Sequence, residues 1–156
     1  MDRKLKVPPR LTTIFDPYEY PIFFITFCTR NREKILTDES IHQAFRRFTQ
    51  KAQENHDVLV GRYVIMPEHI HFFVKIDRSK SLGKWIGSLK RYIGANCTLN
   101  SLAWQPGFFD HMLRDNENLM QKGEYVRQNP VRAGLVKDWQ EWPYQGLIYA
   151  FDGYRD

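Results

Sequence analysis

Residues 20–29 read YPIFFITFCT, nearly all apolar and rich in β-formers. A run of this kind predicts a strand covered on both faces, so the rest of the chain has to supply what covers it. Thr37-Asp38-Glu39-Ser40 then has the look of a helix start. Ile41, Ala44, Phe45, Phe48 and Ala52 follow at helical spacing, which predicts a helix of about 15 residues. Two β-rich runs, 58–66 and 69–76, meet at Pro67-Glu68 and predict a hairpin. Leu82, Trp85, Ile86, Leu89 and Ile93 form a second helical stripe. A fourth strand is expected over 104–113, and a third helix over 115–129, closed by Pro130 because the residue before proline avoids helical angles. The order β-α-β-β-α-β-α predicts an α+β single domain. Its expected form is a four-stranded antiparallel sheet of the ferredoxin-like, split-βαβ kind with helices packed on it.

At 156 residues the chain has room for one core of ordinary size. We expect an N-terminal arm at 1–19, a catalytic domain at 20–145 and a tail at 146–156, with Trp139, Trp142 and Tyr144 packing the C-terminal segment onto the domain. Cys28 and Cys97 are too few for a disulfide framework and read as reduced thiols. No apolar run is long enough to span a bilayer, and the first residues lead into prolines, so no membrane partner and a cytoplasmic location are expected. Lysine and arginine exceed aspartate and glutamate by 5. That excess suits a nucleic-acid partner, because phosphate contacts release condensed counterions. Lys84-Trp85 and Lys90-Arg91-Tyr92 interleave cations with aromatics, a pairing suited to backbone neutralisation with base stacking. An amphipathic helix with a solvated basic face explains the same residues. Arg3, Lys4, Lys6 and Arg10 in the arm could contact nucleic acid, though such arms are also commonly just disordered.

The chemistry-bearing segment is Met66-Pro67-Glu68-His69-Ile70-His71-Phe72-Phe73-Val74. Alternate side chains on a strand share a face, so His69 and His71 point one way while Ile70, Phe72 and Val74 point the other. Two imidazoles so placed can converge on one cation; a pair of surface histidines is the structural alternative. A second segment is Glu124-Tyr125-Val126-Arg127-Gln128-Asn129-Pro130. On a helix Tyr125 and Asn129 lie one turn apart on one face, off the apolar stripe of Leu119, Gly123 and Val126. A phenol beside an amide oxygen offers a nucleophile and a hard metal ligand together. The alternative is a half-buried tyrosine with Asn129 capping the turn at Pro130-Val131.

Four ordered pieces carry a family resemblance: FITFCTRNRE at 24–33, YVIMPEHIHFFV at 63–74, WQPGFFDHMLRD at 104–115 and EYVRQNPVRAGLV at 124–136. Together they resemble the single-tyrosine, IS200-like transposases of the His-hydrophobic-His superfamily, and within it the REP-associated branch. The resemblance implies that His69 and His71 hold a divalent metal, Mg²⁺ or Mn²⁺, that Tyr125 is the nucleophile, and that Asn129 completes the metal site. Asparagine at this place, where insertion-sequence members usually have glutamine, favours the REP-associated branch. The implied partner is single-stranded or hairpin DNA, the implied product a 5′-phosphotyrosine with a free 3′-hydroxyl, and the implied state leans towards a monomer, with a dimer left open.

Arg127 and Arg132 flank the tyrosine segment and are candidate phosphate contacts, as are Lys84, Lys90 and Arg91. Glu68 and His111 are general-base candidates by position alone, each with a structural alternative. His42 and His56 read as surface residues of the first helix. A non-catalytic nucleic-acid-binding module and a replication-initiator-type nickase are the competing readings. Against the first, no strand carries the aromatic pattern of RNA-recognition domains; against the second, no helicase domain follows. No P-loop is present either, which argues against nucleotide hydrolysis.

Overall fold

A computed structural model describes residues 22–55, 58–77, 79–113 and 116–151, with the side chains of 116–118 excepted. The apolar run forms β1 (Ile22–Cys28), followed by a 3₁₀ turn (Arg30–Arg32) and helix α1 (Glu39–Glu54). The hairpin is β2 (Val58–Ile65) and β3 (His69–Ile76), and helix α2 spans Leu82–Asn96. Next come β4 (Phe109–Leu113), α3 (Asn116–Arg127), the single turn α4 (Asn129–Arg132) and a short strand β5 (Gln145–Leu147). The sheet order is β4-β1-β3-β2-β5, and every neighbouring pair is antiparallel.

β1 lies inside the sheet and is covered on both sides, as its composition requires. Ile25, Phe27, Ile70, Phe72 and Val74 pack with Ile41, Phe45, Ile86 and Leu89 of α1 and α2 in the larger core. Phe24, Val64 and Phe73 face the opposite layer, where Leu119 and Val126 of α3 and the C-terminal Trp142 and Phe151 cover them. α1 begins where expected: Asp38 caps it by accepting from Ser40 N at 2.8 Å. Ser81 opens α2 in the same way, accepting from Lys84 N.

β2 contains a bulge that decides its facing. Val60 pairs with Val74 but Tyr63 pairs with Phe72, so one extra residue interrupts the alternation. Val58 and Val60 face the larger core before the bulge, and Tyr63 and Ile65 face it afterwards. Gly61 sits in this bulge beneath Phe151; a Cβ there would lie 2.6 Å from the Phe151 ring.

Several expectations are corrected. The sheet has five strands, not four, because β5 pairs with the outer edge of β2 from Arg62 to Val64. The tail therefore adds a strand beginning at the expected boundary of 145, and Trp142 anchors it by donating Nε1–H to the Ile65 carbonyl at 3.1 Å. The fourth strand starts at Phe109, not at 104: Trp104 makes only an isolated bridge to Thr29. Pro106 has no N–H to give a ladder, and Gly107 takes φ +81°, so the chain turns before it can pair. The third helix ends at Arg127, and Pro130 opens α4 instead of closing α3, since a proline in a first turn gives up no helical hydrogen bond. His42 is buried, not on the surface, with Nε2 2.6 Å from the Tyr63 hydroxyl. His56 and the arm lie outside the described residues.

Candidate active site

Strand alternation puts His69 and His71 side by side on the face of β3 that α3 covers, with ring centroids 4.4 Å apart. Each imidazole is held at Nδ1. Glu68 Oε1 lies 2.8 Å from His69 Nδ1, and a carboxylate can only accept, so Nδ1 carries the proton and Nε2 the lone pair. Thr26, directly opposite His71 in the β1–β3 register, places Oγ1 2.7 Å from His71 Nδ1. Phe24 stacks on His71 at 5.1 Å.

Both histidines are kept neutral. Burial lowers the His69 pKa, overriding the Glu68 bond that raises it. Burial likewise brings His71 down to about 3, with help from His69 and from the charges of Arg132 and Lys122. The decisive atom is His69 Nε2, which is buried and has no hydrogen-bond partner among the described residues. A buried lone pair without a donor is costly unless something positive reaches it. Neutral imidazoles with fixed tautomers are the donor set a divalent cation takes, so these residues fit a metal. Among the described residues no group of three or more His, Cys, Asp and Glu supplies such a site, and amide, water or substrate oxygens suit the remaining positions.

Tyr125 comes to this face from the last turn of α3 and is 49% exposed. Lys122 ties the two halves together, its Nζ lying 5.5 Å from the Phe24 ring and 5.5 Å from the Tyr125 ring. Past the end of α3 the Arg132 guanidinium lies 3.8 Å over the Tyr125 ring, and Arg132 also donates to the Tyr125 carbonyl at 2.7 Å. Asn129 sits inside α4, its carbonyl accepting from Ala133 N at 3.0 Å. The N-cap is Gln128, without a side-chain bond, so Asn129 does not cap the turn.

The cations expected to touch phosphate do not form one patch. Arg132 stands at Tyr125, whereas Arg127 packs on Trp139 at 4.7 Å and pairs with Glu124. Lys90 donates to the carbonyls of Gln105 and Gly107 at 3.1 and 2.6 Å, tying down the loop before β4. Arg91 reaches Ser88, and Lys84 joins Arg47, Lys51 and Lys80 around a groove between α1 and α2, in the layer across the sheet from the histidines. His111 is exposed on β4. Sequence reasoning missed Thr26, Phe24 and Lys122. The signal for Thr26 was present: it is the lone polar residue between Ile22 and Cys28 in a doubly covered strand.

Comparison with known proteins bears on this arrangement. The family described as "Transposase IS200 like" matches residues 21–129, a span that holds both histidines, the tyrosine and the asparagine. The chain belongs to this transposase family. Its similarity to a REP-associated tyrosine transposase of Escherichia coli (strain K12) is 28% identity over 125 residues, covering 78% of this chain and 73% of that protein. A solved structure of a REP-associated tyrosine transposase bound to a REP hairpin superposes with a TM-score of 0.67, at 22% identity, over 93% of this chain and 98% of that one. The first agrees with the branch expected from the sequence, and the second shows the same fold. Among the described residues no helix is long and apolar enough to cross a membrane.

Proposed function

We propose that this transposase nicks and rejoins single-stranded DNA at the foot of a hairpin, of the repetitive extragenic palindrome kind, through a 5′-phosphotyrosine on Tyr125. The observation that carries this reading is the unpartnered, buried His69 Nε2 beside His71, on the sheet face that bears the Tyr125 helix. His69, His71 and the Asn129 amide would hold Mg²⁺ or Mn²⁺, two ions suited to a shell completed by oxygen. Such a cation, when bound, withdraws charge from a non-bridging phosphate oxygen and orients the phosphate for in-line attack.

The remaining steps belong to the chain itself. Tyr125 Oη bonds to phosphorus, the bond from phosphorus to the 3′-oxygen breaks, and that oxygen leaves as a hydroxyl after taking a proton from solvent. The phenolic proton passes to solvent. Arg132 and Lys122 sit over the tyrosine ring, where the phosphate's charge would arrive. The ester retains the bond energy, so a second strand's 3′-hydroxyl reverses the step without ATP. Arg127, Lys84, Lys90 and Arg91 complete the proposed DNA-contacting set, with Lys90 acting through the loop it holds. The resemblance to the REP-associated branch supports a monomer. The β4-β1-β3-β2 part of the sheet supports a ferredoxin-like core extended by β5.

The test is incubation of end-labelled hairpin DNA with Mg²⁺ and a denaturing gel for a covalent adduct. The adduct should appear with the wild type and be absent from Tyr125→Phe; an adduct with the variant names another nucleophile. Fully paired, blunt duplex should not be cut, because stacking keeps its phosphates from reaching strand and helix together.

A further inference from the structure

Two left-handed turns flank the histidines and the tyrosine. After β1 the chain passes through Asn31 and Arg32 at φ 57° and 55°, a left-handed conformation that non-glycine residues seldom adopt. The turn is held from both ends. Thr29, fully buried, donates Oγ1–H to the Glu33 carbonyl at 2.8 Å and its N–H to the Glu68 carbonyl at 3.0 Å, and Leu36 N donates to the Pro67 carbonyl at 2.9 Å. Arg32 is thereby presented to solvent beside Glu68, close enough for its charge to act on His69. The other turn follows α4. Gly134 at φ 75° lets Leu135 N return to the Pro130 carbonyl at 2.9 Å, which leaves the Leu135 side chain 44% exposed.

Between these turns lies a cleft of about 360 Å³. Arg32 and Lys34 supply its cations; Met66, Pro67 and Leu135 give it an apolar surface; Glu68, which holds His69, forms its inner wall. We propose that this cleft binds the unpaired nucleotide next to the scissile phosphate, with Arg32 and Lys34 on its phosphate and its base against Pro67 and Leu135. The assignment rests on the functional reading above and deepens it. A strand whose phosphate is held between His69 and Tyr125 must leave past one of the segments that carry them, and the cleft lies between the segment before His69 and the one after α4. A fixed cation on a strained, doubly anchored turn is pre-organised for phosphate, whereas a mobile surface arginine is not. Apolar walls with cations alongside match an unpaired nucleotide better than a paired stem, whose bases are already stacked.

Labelled hairpins test this, one blunt and others with an unpaired extension at either end, titrated by anisotropy across a salt series. The wild type should bind an extended hairpin more tightly than the blunt one. Arg32→Gln with Lys34→Gln should reduce the log–log salt slope for the extended hairpin by about 0.7, the value for one single-strand phosphate contact, and leave the blunt slope unchanged. Leu135→Ser should weaken binding of the extended hairpin several-fold without moving the slope, and Arg32→Lys should keep the slope. Melting curves matching the wild type tie these effects to the cleft. A double variant that retains the wild-type slope and preference overturns the proposal while the tyrosine adduct still forms. A wild-type protein that binds none of the hairpins overturns the functional reading, and the cleft with it.

Discussion

The Thr26–His71 bond acts on a single imidazole nitrogen. A cation on His71 Nε2 requires the proton to sit on Nδ1, and Thr26 Oγ1, 2.7 Å away, is placed to accept it there as Glu68 does for His69. Thr26→Val keeps the shape and removes the acceptor, so Mn²⁺ affinity should fall about 10–100-fold, the usual loss for such supporting groups. Calorimetric titration measures it, and Thr26→Ser should restore most of the affinity. His69→Ala and His71→Ala should lose Mn²⁺ binding outright. Tyr125→Phe should be neutral in melting, since the ring is half exposed and only the hydroxyl is lost. The two histidines were legible because strand alternation is local: positions 69 and 71 share a face whatever the rest of the chain does. Thr26 was not, because its partner is set by a β1–β3 register that joins residues 45 apart. Asn129 follows Tyr125 by four residues across the junction of α3 and α4, where Gln128 keeps helical angles and bonds back to the Glu124 carbonyl at 3.0 Å.

Elements with strong periodicity came out where the sequence put them. α1 and α2 bury Ile41, Ala44 and Phe45, and Leu82, Ile86 and Leu89, at three- and four-residue spacing. The less periodic ends did not. Gly107 stops β4 short, Pro130 restarts a helix, and β5 is three residues whose pairing no local pattern announces. The bulge in β2 was equally silent, since its run is buried throughout and gives no alternation to read. It also makes a prediction. Gly61→Ala would push a methyl into the Phe151 ring, so stability should fall by about 1–3 kcal/mol, as overpacking costs. Urea unfolding checks this, and Gly61→Ala with Phe151→Leu should recover part of the loss.

Over the whole molecule, stability should depend on pH through a histidine outside the site. His42 is buried against Tyr63, with Arg46 donating to the same hydroxyl at 2.9 Å. Burial lowers its pKa, so the unfolded chain takes up a proton that the folded one refuses. Its contribution is complete above the unfolded value of about 6.5 and is lost as pH falls below it, at up to about 1.4 kcal/mol per pH unit. Urea unfolding at several pH values should show His42→Gln with a shallower decline on acidification than the wild type. The large core lies with α1 and α2 on one side of the sheet, while the histidines, Tyr125 and Arg132 lie on the other and bury little of it. This division has a consequence for inheritance. On the proposed reading, a codon change at Tyr125 or His71 would remove the chemistry and leave a domain that still folds and keeps its basic surfaces. On that reading lineages can shed strand cutting in one step, and what descends from them is a DNA-holding protein open to selection for some other use.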